Sequence, residues 1–184
     1  MKKDMRYLCY PYMRESASTV DFEIRTDSMT TRIGQAASLV KKNSKLITVY
    51  DHLMELLPMA YHLNGSVRGK LAIEEQDLAR LSDIYDFYLE VVQEQITQFL
   101  LPQGSDVACA LHVCRSEAKK SVRALHKVSL ERDVPKLLFD YTHLLANVFF
   151  VMAVFVNHLE EVQEVPFQSK SYPMRKPKNE EEKK

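Results

Sequence analysis

Five side chains in the middle of the sequence recur at the spacing of one helical turn: His112, Arg115, Lys119, Arg123 and Lys127. Residues three and four apart share a helix face, so a helix here carries a cationic ridge able to meet a polyphosphate through charge-assisted hydrogen bonds. A solvated helix face looks much the same, and spacing alone leaves both readings open. Nearer the N-terminus, Arg25-Thr26-Asp27-Ser28-Met29-Thr30-Thr31-Arg32 concentrates hydroxyls and positive charge. That composition suits a strand or loop wrapped around phosphate. It suits equally the capping region of a following helix, with Ser28, Thr30 and Thr31 competing as N-caps. Cys109 and His112 stand at an i, i+3 spacing, but C-x-x-C and Glu-x-x-His are missing, so zinc-ribbon and di-iron ligand sets are incomplete and no metal ligand is assigned. The patterns G-x-x-x-x-G-K-[ST] and G-x-G-x-x-G are missing as well; any nucleotide must be held without a glycine-rich loop.

The elements that must position these groups are helical. The chain has four glycines and seven prolines among 184 residues, and no segment alternates apolar and polar residues as a strand would. Apolar spacing at three and four predicts a first helix from roughly Gln35 to Asn64, stopped by Asn64-Gly65, and a second from Ile73 to Leu100, closed by Pro102-Gln103-Gly104. Ser105 is placed to cap a third helix, with Asp106 adding negative charge to its first turn and an end near Leu130. A fourth runs from Asp133 to Val162 with Pro135 in its first turn. Its apolar face, from Leu137 to Phe155, covers more than one stripe, which predicts burial against several neighbours or across a subunit interface. Residues 1–20 form an irregular arm, 21–167 the helical domain and 168–184 a flexible charged tail.

Twenty-five basic and 25 acidic residues give zero formal net charge, so no global field draws the chain to nucleic acid or to a membrane surface. An odd count of three cysteines, Cys9, Cys109 and Cys114, and an N-terminus without a leader pattern predict a reduced, cytoplasmic protein. The longest apolar run, Val148 to Val156, is nine residues against the roughly 18 that span a bilayer, which predicts no transmembrane helix.

At FLLPQGSDVACALHVCRSEAKK, residues 99–120, the chain resembles the PduO-type ATP:cob(I)alamin adenosyltransferases. Phe99, Leu101, Pro102, Gly104, Ser105, Ala108, Leu111, His112, Val113 and Arg115 match that family's pattern in register. A second block is similar at IRTDSMTTRIG and LVKKNSKLITVYDHLMEL, where Arg25, Thr26, Thr31, Lys42, Tyr50, Glu55 and Leu56 coincide. YTHLLANVFFVMAVFVN is similar to the family's final helix and QEVPF, residues 163–167, to its C-terminal end. Differences fall at Asp27-Ser28, Thr30, Met54 and Lys119-Lys120-Ser121-Val122, with His143 in place of an asparagine and Asn147 in place of an aspartate. The stretch between Leu57 and Phe99 is also short, as though one helix were missing.

The resemblance implies an all-α up-and-down bundle, a homotrimer with ATP and a corrinoid bound between subunits, and transfer of the 5′-deoxyadenosyl group to cobalt with Mg²⁺ assisting. It implies that Arg115, Lys119 and Glu55 serve catalysis. It implies further that Arg25, Thr26, Ser28, Thr30, Thr31, Lys42, His143 and Asn147 hold the nucleotide side, and that Phe99 forms an aromatic wall beneath the corrinoid, excluding the lower cobalt ligand. A reductase or a corrinoid-dependent enzyme is the implied partner. Two other readings stand beside it: a non-catalytic corrinoid- or nucleotide-binding protein of the same fold, and a ligand-free helical interaction module.

Overall fold

In the computed structural model, which describes residues 4–171, five helices follow one another: α1 (Ser18–Val40), α2 (Ile47–Gly65), α3 (Glu75–Val92), α4 (Asp106–Val128) and α5 (Lys136–Leu159). Their directions follow from contacts at the two ends of the bundle. Ser18 at the start of α1 donates to Glu131 just past α4, and Asn64 at the end of α2 donates to the Glu23 carbonyl and the Thr26 hydroxyl. At the opposite end Asn43 meets Glu160, Gln95 meets His158, and Ser105 meets Asn157. Helices α1, α3 and α5 therefore run one way and α2 and α4 the other, an up-and-down all-α bundle. Spatially α1 lies between α2 and α4, and α5 between α4 and α3.

Local chemistry explains the better-defined ends. The Ser105 hydroxyl accepts from the Ala108 N–H at 3.3 Å, satisfying one of the orphan donors of the first turn of α4. Glu74 and Asp77 form a reciprocal capping box at the start of α3. Helix α5 is buried around most of its circumference, with Val151, Met152, Ala153 and Val154 all inside in succession. By length and composition alone its 24 residues pass for a membrane span, as the buried core helix of a bundle also does. Here its apolar faces are covered by α3 and α4.

Several sequence expectations are overturned. Residues 25–32 are neither strand, loop nor cap but the interior of α1. The long helix expected from Gln35 to Asn64 is two helices broken at Lys41–Leu46, where Asn43 caps a single 3₁₀ turn at Ser44–Leu46. Helix α3 stops at Val92, short of Leu100, and a 3₁₀ turn at Gln93–Gln95 follows. Four helices were expected and five are found among the described residues, because α1 precedes the segment expected to hold the first; between Leu57 and Phe99 the one complete α-helix is α3. The expected irregular arm ends at Ser18, and its tyrosines are engaged: the Arg68 guanidinium lies 3.8 Å over the Tyr12 ring. Of the expected charged tail, residues 172–184 lie outside the described residues.

Candidate functional site

Helices α4 and α5 pack antiparallel, and two contacts fix their register. The Arg115 guanidinium lies 4.8 Å over the Phe150 ring. Toward the other end, His126 meets Phe139 at 4.8 Å and His143 at 6.2 Å between ring centroids. Lys119, one turn on from Arg115, and Asn147, one turn before Phe150, fall between these contacts. By register, half-buried Arg115 and exposed Lys119, His143 and Asn147 lie along the same outer side of the groove where α4 packs on α5. Among the described residues Arg115, Lys119, Arg123 and Lys127 form no ion pair, whereas Lys120 is held by Glu117 at 2.6 Å. Half-buried on an aromatic face and without an anion, the Arg115 guanidinium has its pKa lowered by desolvation. His112 is not part of the exposed ridge. It is 7% exposed, and burial, with Arg115 nearby, holds its pKa down to about 4.

A second feature lies at the bundle end from which α4 starts. Residues 99–101 pair antiparallel with 165–167: Leu101 N–H donates to the Val165 carbonyl and Phe167 N–H to the Phe99 carbonyl, both at 2.8 Å. Phe99 is 62% exposed and Phe167 43%, and their rings meet edge to face at 5.6 Å. Asn157 anchors this structure from beneath. Fully buried, it accepts from Ser105 N–H at 3.2 Å and donates to the Gln103 carbonyl at 3.0 Å and to Glu164 at 2.9 Å. Lys42 lies at the same end, in an open cleft of about 750 Å³ shared with Lys45, Ser105, Asp106 and Glu160.

Other expected site residues are engaged elsewhere. Thr26 and Thr30 are buried, and their hydroxyls donate to carbonyls within α1. Thr31 donates to the Asp27 carbonyl and lines a shallow depression with Leu57, Pro58 and Tyr61. Arg25 is exposed and Ser28 half-buried on the same helix. Glu55 is bidentate to Arg80 of α3 at 2.7 and 2.8 Å, which holds its carboxyl below the usual range. Phe150, Phe167 and the anchoring role of Asn157 were not legible in advance; the aromatics sit in an apolar run and an irregular tail that spacing does not resolve. Among the described residues no three His, Cys, Asp or Glu side chains gather as a metal site.

Comparison with known proteins gives one consistent result. The cobalamin adenosyltransferase family pattern matches residues 13–156. A curated cobalamin adenosyltransferase of Cupriavidus metallidurans is 26% identical over 92 residues, half of this chain and half of that protein. Among solved structures, a PduO-type ATP:corrinoid adenosyltransferase from Lactobacillus reuteri, a Phe-to-Ala variant complexed with cobalamin and ATP, superposes with a TM-score of 0.75 at 22% identity, over 84% of this chain and 88% of that one. An Arg-to-Lys variant of the L. reuteri enzyme complexed with ATP gives 0.72 at 23% identity, over 83% and 88%.

Proposed function

The chain belongs to the cobalamin adenosyltransferase family, and from that premise we propose that it moves the 5′-deoxyadenosyl group of ATP onto the cobalt of a reduced corrinoid. In that reaction the electron pair of cobalt(I) attacks C5′ and a cobalt–carbon bond forms. The C5′–O bond breaks, and triphosphate leaves with its electrons. Such a displacement asks little acid–base chemistry of the protein; positioning and neutralisation of the leaving group dominate. The observation that carries this reading is the α4 ridge, where Arg115, Lys119, Arg123 and Lys127 follow one another without an anion among the described residues. A polyphosphate supplies that anion, with Arg115 exchanging the Phe150 face for phosphate oxygens. Asn147 and His143 line the facing side of the groove. Among the described residues no acidic cluster fits a protein-built Mg²⁺ site.

The exposed pair of Phe99 and Phe167 supplies an apolar platform suited to the flat corrin ring. Desolvating the lower face of the corrinoid there disfavours a lower axial ligand and favours the reduced metal. A homotrimer with groove and platform completed between copies, a reduced cytoplasmic setting and a functional unit of residues 21–167 belong to the same proposal. A non-catalytic binding protein is the second reading; it is favoured by the consumption of Thr26 and Thr30 within α1 and of Glu55 by Arg80.

The test follows the visible spectrum of chemically reduced cob(I)alamin mixed with ATP, Mg²⁺ and the full chain, alongside Arg115→Ala and Phe99→Ala. Adenosylcobalamin formed by the unaltered chain and lost in Arg115→Ala supports the enzyme. A protein-dependent spectral shift without product leaves the binding protein, and no change at all removes both.

A further inference from the structure

His112 lies buried beside Arg115 and Phe150 between α4 and α5, and the proposed adenosyl transfer gives it no role. Neither its Nδ1 nor its Nε2 has a hydrogen-bond partner, although the residue is more than nine-tenths buried. A neutral imidazole carries one donor and one acceptor, and a buried position that satisfies neither is unfavourable. Its neighbours account for the state of the ring. Phe150 lies 6.4 Å away between centroids, and Arg115, one turn further along α4, rests on that same Phe150. An apolar ring on one side and a cation on the other keep the imidazole uncharged at neutral pH.

Two unmet requirements of different chemistry therefore sit one helical turn apart. Arg115 lacks an anion. His112 lacks a partner for an uncharged donor and acceptor, which a hydroxyl or an amino group provides and which a phosphate satisfies only on the donor side. A nucleoside triphosphate carries both kinds of group in one molecule. We propose that His112 is a recognition residue for the uncharged nucleoside part of ATP, reached when Arg115 leaves the Phe150 face for the phosphates. This rests on the reading that ATP occupies the α4/α5 groove.

The experiment is calorimetric titration of the full chain, His112→Phe and His112→Gln with ATP and, separately, with inorganic tripolyphosphate. Loss of the imidazole hydrogen bonds weakens ATP about ten-fold and leaves tripolyphosphate within about two-fold. His112→Gln, whose amide offers a donor and an acceptor, recovers part of the ATP affinity. Thermal unfolding accompanies each titration. Removing two unsatisfied polar atoms should not lower the midpoint of His112→Phe; if that variant does not fold, the comparison rests on His112→Gln against wild type with 2′-deoxy-ATP and ATP. Equal weakening of both ligands, or of neither, overturns the assignment while ATP binding by the wild type keeps the groove reading. A wild-type chain that binds no ATP overturns both.

Discussion

Asn157→Ala tests whether the platform at Phe99 and Phe167 is held from below. Three hydrogen bonds disappear, to Ser105 N–H, the Gln103 carbonyl and Glu164, and a fully buried side chain leaves a void. Two neutral bonds at roughly 1 kcal/mol and one to a carboxylate at roughly 1.5–3 kcal/mol give an expected loss of about 3.5–5 kcal/mol. In a chain of this size that lowers the midpoint of thermal unfolding by about 7–20 °C. Gly104 provides the internal control. Its φ is +139°, and a Cβ placed there would lie 2.0 Å from Asn157 Oδ1, so Gly104→Ala must push the same amide out of place in addition to straining the backbone. Once Asn157 is already alanine, much of that clash is gone. The double variant should therefore be less destabilised than the sum of the single ones by at least about 1 kcal/mol. Urea titrations measure stability, and corrinoid titration followed in the visible measures the platform, which should weaken as Phe167 loses its register. A cost below about 1 kcal/mol for Asn157→Ala, or strict additivity with Gly104→Ala, refutes the reasoning.

Two more predictions concern buried carboxyl groups. Arg68 is bidentate to Glu23 at 2.8 and 3.0 Å, and Glu23 is only 4% exposed, so Arg68→Ala strands a buried carboxylate and should cost about 3 kcal/mol in urea unfolding; a loss under about 1 kcal/mol contradicts this account. Glu164 has its pKa raised by burial, against the Asn157 hydrogen bond, so between its unfolded and folded pKa the folded chain binds protons more strongly than the unfolded chain. That contribution stabilises the fold at acid pH and is lost as pH rises through the folded pKa. Glu164→Gln should accordingly gain on the wild type from about pH 4.3 toward neutrality, and unfolding midpoints that keep a constant difference across that range would refute the shift.

How much was legible differs from helix to helix. Helix α4 was readable because Ser105, Asp106 and a regular apolar stripe agree locally. Helix α1 was not, because its buried face mixes Phe22, Met29 and Ile33 with Thr19, Glu23, Thr26 and Thr30. Those polar groups are satisfied by Arg68, Asn64 and backbone carbonyls brought in by folding, so their burial leaves no trace in hydropathy. The break between α1 and α2 contains no glycine or proline, and Asn43 is its one local signal. For the site, the ridge at Arg115 and Lys119 followed from spacing, but the pairing of Glu55 with Arg80 and of Phe99 with Phe167 joins residues distant in sequence. No periodicity reports such contacts.

The encircled position of α5 also bears on how the chain is made. It is the last of the five helices to leave the ribosome, and by length and composition it is able to enter a bilayer. Its covering partners α3 and α4 precede it in the sequence, so they are already synthesised when this segment emerges. Chain order thus favours capture by α3 and α4 over insertion or aggregation. A circular permutant that places α5 first would reverse that order and expose the same segment before either partner exists.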